Sequence, residues 1–176
     1  VCEPAAILVY FSPNQLEVNP DVFDRFVMRP MQRLKQLLAA SNVDLIFHDC
    51  GELTDGMVRS FATMGASMLS LGSSRKLWED AALVSKQTVL YGNLPTKHFY
   101  SAELTVGAVE RLSEELIEKM NTAAHPFILG SEGDVLSVPG REDEILSKVD
   151  AFLNCSRGES RATGGGVEEG PPTLLT

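Results

Sequence analysis

The sequence predicts an α/β fold built on a parallel sheet, and three observations carry the prediction. Short apolar runs alternate with amphipathic stretches five times along the chain, and strand-helix-strand units of that kind give parallel strands with right-handed connections. The second run, Asp44-Leu45-Ile46-Phe47, leads into His48-Asp49-Cys50-Gly51, which puts polar and sulfur-bearing residues at the strand end where parallel sheets keep their chemistry. The patterning stops near Leu153, and Val1 opens almost directly on a strand pattern, as in a chain that starts in the middle of a longer fold. A complete eightfold barrel takes about 250 residues. The five units therefore suit either an open doubly wound sheet or the C-terminal part of a barrel.

Taken in order, Ala5 to Tyr10 form the first apolar strand, and Ser12-Pro13-Asn14 break it with loop residues. Asn19 and Pro20 have the chemistry of an N-cap and a first helical position. The helix they open carries Phe23, Phe26, Val27, Met31, Leu34, Leu37 and Leu38 as one stripe, with Pro30 inside it, where a proline kinks a helix. After the second strand, Thr54 and Asp55 cap a helix that Gly65 ends. Ser67 to Leu71 make a third strand, Leu77 to Val84 a third helix, and Thr88 to Tyr91 a fourth strand before a Gly92-Asn93-Leu94-Pro95 loop. A helix with Val109, Leu112, Leu116, Ile117 and Met120 on one face follows, then a fifth strand, Pro126 to Leu129. A last helix runs from about Glu142 to Leu153. This gives a folded domain over residues 1–153 and, from Asn154, a Gly-, Glu- and Pro-rich tail over 154–176 whose composition predicts disorder.

The 176 residues are 44% hydrophobic with a net charge of -9, enough apolar material for one core and the wrong sign for a nucleic-acid partner. The longest apolar run is far too short to span a bilayer. Three cysteines at distant positions, Cys2, Cys50 and Cys155, make no disulfide framework and suit a reducing compartment. A cytoplasmic chain without nucleic-acid or membrane partners is expected.

On a strand the side chains alternate, so Ile46, His48 and Cys50 share one face while Leu45, Phe47 and Asp49 share the other. His48 and Cys50 are a soft-ligand pair at a strand end. The same two residues also suit a hydrogen-bonded imidazole and a small apolar filler. Gly92-Asn93 reads first as a loop device and second as a substrate contact. His98 and His125 have no partners at a telling spacing and read as surface or loop residues. No Ser/His/Asp order or phosphate-cradling glycine loop is present in the sequence.

Asn19-Pro20-Asp21-Val22-Phe23-Asp24-Arg25-Phe26, His48-Asp49-Cys50-Gly51, Leu69-Ser70-Leu71, Gly92-Asn93-Leu94 and Phe127-Ile128-Leu129-Gly130-Ser131 stand in an order and spacing that resemble the C-terminal half of the uroporphyrinogen decarboxylase superfamily. The resemblance implies that the five strand-helix units are the C-terminal part of a (β/α)8 TIM barrel. The His-x-Cys-Gly stretch is similar to the branch containing methylcobalamin:coenzyme M methyltransferases, and it implies zinc held by His48 and Cys50 with a further cysteine after the last strand. That position falls at or beside Gly133, where Glu132 is the nearby oxygen donor and so the third metal-ligand candidate. For substrate contacts the resemblance points to Ser12, to Glu3 in an alternative register, to Gly92 and Asn93, and to Ser131, which stands where the decarboxylases carry a histidine.

In function, the resemblance implies methyl transfer from a corrinoid to a metal-activated thiol when the barrel is complete. The alternatives are uroporphyrinogen decarboxylation in tetrapyrrole biosynthesis and a non-catalytic truncated member. The implied partners are a small-molecule substrate or a corrinoid protein, together with either a second copy of the chain or a missing N-terminal half.

Overall fold

A computed structural model describes residues 4–10 and 19–157 of the chain. Glu3 and Ser12, two of the substrate-contact candidates, and the tail beyond residue 157 lie outside the described residues. Five strands, β1 (Ala6–Tyr10), β2 (Asp44–Asp49), β3 (Met68–Leu71), β4 (Val89–Leu94) and β5 (Phe127–Ser131), form one sheet. All neighbours are parallel, and they stand side by side in sequence order. A doubly wound sheet reverses its order at a switch point, so the unbroken order identifies the arc of a barrel instead.

The helices are α1 (Pro20–Phe23), α2 (Arg29–Leu38), α3 (Asp55–Thr63), α4 (Leu77–Asp80), α5 (Val106–Ala123) and α6 (Glu142–Ser156). Asn19 caps α1, its side-chain oxygen accepting from Val22 N at 2.9 Å, with Pro20 at the first position. Thr54 caps α3 and Gly65 terminates it at φ +63°, both as the sequence predicts. Pro30 does not simply bend its helix. A π-helical turn, Asp24–Met28, separates α1 from α2, and such a turn takes up the residue whose carbonyl loses its partner at a proline. The extra residue shifts the apolar phase. Met28 becomes buried, while Phe26 and Leu37 from the expected stripe lie exposed.

The outer face of the sheet carries the core. Leu45, Phe47, Leu69, Leu71 and Leu90 pack there against Phe23, Val58, Phe61 and Leu77 from the helices, with the Phe23 and Phe61 rings edge to face at 5.4 Å. A smaller cluster of Phe99, Val109, Ile145 and Ala151 ties α5 to α6. Three expectations change. The third helix is the single turn α4, continued by tight turns in which Ala82 N donates to Glu79 O and Leu83 N to Asp80 O. Gly92-Asn93-Leu94 is strand rather than loop, because these residues pair with Leu129, Gly130 and Ser131 of β5. His125 is buried rather than on the surface, its Nε2 sharing a 3.0 Å hydrogen bond with Thr88 O.

Residues in register share a face. The inner face therefore carries two rows, Leu8-Ile46-Met68-Val89 and, one step nearer the strand ends, Tyr10-His48-Ser70-Tyr91-Ile128.

Candidate functional site

The second of these rows is where the inner face turns polar. Tyr10 stacks on His48 with ring centroids 5.1 Å apart, and His48 Nδ1 shares a 2.7 Å hydrogen bond with Ser70 Oγ. This fixes the imidazole between β1 and β3 and leaves Nε2 as its second working nitrogen. Gly130 makes room in the row, since a Cβ there would strike the Tyr91 ring. A cavity of about 450 Å³ opens over this surface, floored by Leu8, Ile46 and Met68 and walled by Tyr10, His48, Ser70 and Tyr91. Lys97, Ser131, Gly133 and Asp134 complete its wall from the ends of β4 and β5. Its size suits a small molecule.

Cys50 follows β2 directly and is half-buried. Its Sγ lies 3.6 Å from the Tyr10 hydroxyl. Cys50 beside the Lys97 ammonium pushes the lysine up from its ordinary range against the cost of burial, and the acidic groups of Glu132 and Tyr10 add to the effect. His48 moves the opposite way. Burial holds its pKa below the usual imidazole value, the positive charge of Lys97 lowers it further, and Asp134 opposes both. The result is a neutral imidazole beside a sulfur and its ammonium. A cation at a thiol favours the thiolate, the reactive form of sulfur.

Lys97 reaches this place because a 3-10 turn, Thr96–His98, follows β4. The turn is pinned to the end of β5, where Thr96 Oγ1 donates to Gly133 O at 2.9 Å and Glu132 N donates to Leu94 O at 2.9 Å. Gly133 matters sterically, since a Cβ there would stand 2.9 Å from Lys97 Cε. Sequence reasoning missed Lys97, because a lysine in a loop after a strand has no spacing to mark it. Tyr10 and Ser70 carried a signal: each is a polar residue inside an apolar run, and the strand register sets both beside His48.

The candidates from the sequence divide. His48 and Cys50 stand on the inner face, with Leu45, Phe47 and Asp49 buried on the other. Ser131 lines the cavity. Asn93 points its amide away from the cavity, donating from Nδ2 to Gly72 O and Arg75 O at 2.7 Å each. It thereby fixes the loop after β3. Gly92, at φ +130°, is buried against that loop, close to Leu71 O. Glu132 is buried, its Oε2 accepting from Ser73 N at 3.0 Å and Ser73 Oγ at 2.6 Å, while Oε1 has no hydrogen-bond partner among the described residues.

These residues do not fit zinc. A zinc site with three protein ligands needs a converging donor set, and the described residues contain no group of three His, Cys, Asp or Glu able to hold a metal ion. Glu132 spends one oxygen on Ser73, and the charge of the Lys97 ammonium already acts on Cys50 and Glu132. A second cation there would meet repulsion from the first.

Among the described residues no helix is long and apolar enough to cross a membrane. Comparison with curated proteins gives no match. The sequence model of the family Uroporphyrinogen decarboxylase (URO-D) matches residues 2–138, a span that takes in all five strands and the whole inner-face site. With its parallel strands in barrel order, the chain belongs to the uroporphyrinogen decarboxylase family.

Proposed function

We propose that the inner-face site transfers a methyl group to the sulfur of a small thiol, the chemistry of the methyltransferase-like branch of this family. The observation that carries this reading is that Lys97 and neutral His48 line one small cavity, with the Cys50 sulfur next to Tyr10, another residue of its wall. The donor, a methylated corrinoid, would supply an electrophilic methyl carbon and acts as a second substrate. Lys97 has three N-H donors, so it serves the Cys50 sulfur and an incoming thiol together. His48 Nε2 accepts the proton as the thiol binds. The thiolate then attacks the methyl carbon; the S-C bond forms, and the carbon-cobalt bond breaks with its electron pair left on the cobalt.

Decarboxylation of a porphyrinogen is less well supported by the cavity. Among the described residues lining it, Lys97 is the one cation and Asp134 the one carboxylate. A substrate carrying several carboxylates calls for several fixed cations. The discriminating assay gives the purified chain methylcobalamin with a small thiol, and in parallel uroporphyrinogen. Methylated thiol with no carbon dioxide release is expected. Carbon dioxide release without methyl transfer would overturn the reading.

A further inference from the structure

We infer that Lys97 stands where a metal ion would stand in a thiol-activating site, so that the cavity holds a small anionic thiol against an ammonium and excludes a divalent cation. The inference deepens the methyl-transfer reading and rests on it only for the nature of the acceptor.

Geometry and charge together locate the lysine. It shares the cavity wall with His48, Ser131, Gly133 and Asp134, and its charge acts on Cys50, Glu132 and His48, the residues whose types suit a metal. The lysine stem has also taken the space that a further ligand would need. Gly133 Cα lies so close that a Cβ would stand 2.9 Å from Lys97 Cε, so any side chain at 133 pushes the lysine aside. Glycine at this position and lysine at 97 go together. The buried Oε1 of Glu132, without a partner among the described residues, adds negative potential that holds the ammonium in place. Because the cation is covalently part of the chain, its charge is constant and independent of metal supply.

The test loads the full chain with zinc, dialyses it, and measures bound metal by elemental analysis in the wild type, Gly133→Cys and Lys97→Ala/Gly133→Cys. The double variant removes the ammonium and supplies a second sulfur as a third ligand beside His48 and Cys50. It should retain at least tenfold more zinc than either of the other two chains. Stoichiometric zinc in the wild type that Cys50→Ser removes would overturn the inference, and so would equal zinc in Gly133→Cys and the double variant. Should the double variant fail to fold, calorimetric binding of thioglycolate to the wild type and to Lys97→Met decides. The loss of one charge-assisted hydrogen bond predicts affinity weaker by about tenfold or more, and equal affinity would overturn the proposal. Neither readout needs turnover. Failed methyl transfer with these results intact would therefore remove the function and leave the site.

Discussion

Asp49 is the residue whose chemistry runs most against its surroundings. It is fully buried on the outer face of β2, next to the site, with Oδ1 accepting from Gly51 N at 2.8 Å and Oδ2 without a partner among the described residues. Burial raises its pKa to about 7, and the Gly51 hydrogen bond opposes the rise. The folded chain therefore binds a proton that the unfolded chain, with an ordinary carboxyl near pH ~4, has already released. That contribution to stability is fully present below the unfolded value and is lost as pH rises through about 7. Asp49→Asn keeps the contact to Gly51 and cannot ionise. Thermal melts from pH 5 to 8 should show the wild type falling by a few degrees more than the variant; parallel curves would mean that Asp49 does not titrate in this range. The alternation of β2 placed Asp49 opposite His48 and Cys50 from the sequence alone, since period two fixes faces. Its missing partner was not legible, because hydrogen bonding across loops leaves no mark in residue order.

Among the elements, α6 is held by a buried cation in addition to its apolar cluster with α5. Lys148 is fully buried, and its ammonium donates to Phe99 O and Ser101 O at 2.7 Å each and to Glu144 Oε1 at 2.6 Å. Glu144 is drawn below its ordinary range, first by Lys148 and then by Arg141. Lys148→Met would leave two carbonyls without a donor while keeping the aliphatic stem. It should cost about 2–4 kcal/mol, read as a lower urea midpoint with an unchanged slope. No loss would mean that water takes the lysine's place. The caps of α1 and α3 and the apolar stripe of α5 were legible because helices declare themselves through period and capping chemistry. The π-helical turn before Pro30, the strand character of Gly92-Asn93-Leu94 and the burial of His125 were not. The last two are set by partners elsewhere in the fold: strand pairing with β5 for Gly92-Asn93-Leu94 and Thr88 for His125.

For the whole molecule, the described sheet is an arc whose inner face holds both the site and exposed apolar residues. Leu8, Tyr10 and Ile128 are 61%, 64% and 44% exposed, and β1 and β5 each have one partner strand among the described residues. Unpaired edges and apolar faces favour association. Light scattering should find the purified chain larger than a monomer at micromolar concentration, and a monodisperse monomer would contradict this. The fold was readable at this scale because strand-helix alternation constrains topology to few choices. The site was readable only in part. His48 and Cys50 lie two residues apart on one strand, whereas Lys97 arrives from the end of a different strand and only the fold brings it to the sulfur.

The central claim is that Cys50 and Lys97 form one thiol-handling unit at this cavity. The measurement that meets it most directly is the rate of methyl transfer from methylcobalamin to a small thiol in the wild type, Cys50→Ser and Lys97→Met. Loss of one fixed electrostatic group at a reacting centre costs about 10²–10³ in rate, and a loss of that size is expected in Lys97→Met, with a comparable loss in Cys50→Ser. Transfer by the wild type that neither substitution slows would contradict the account.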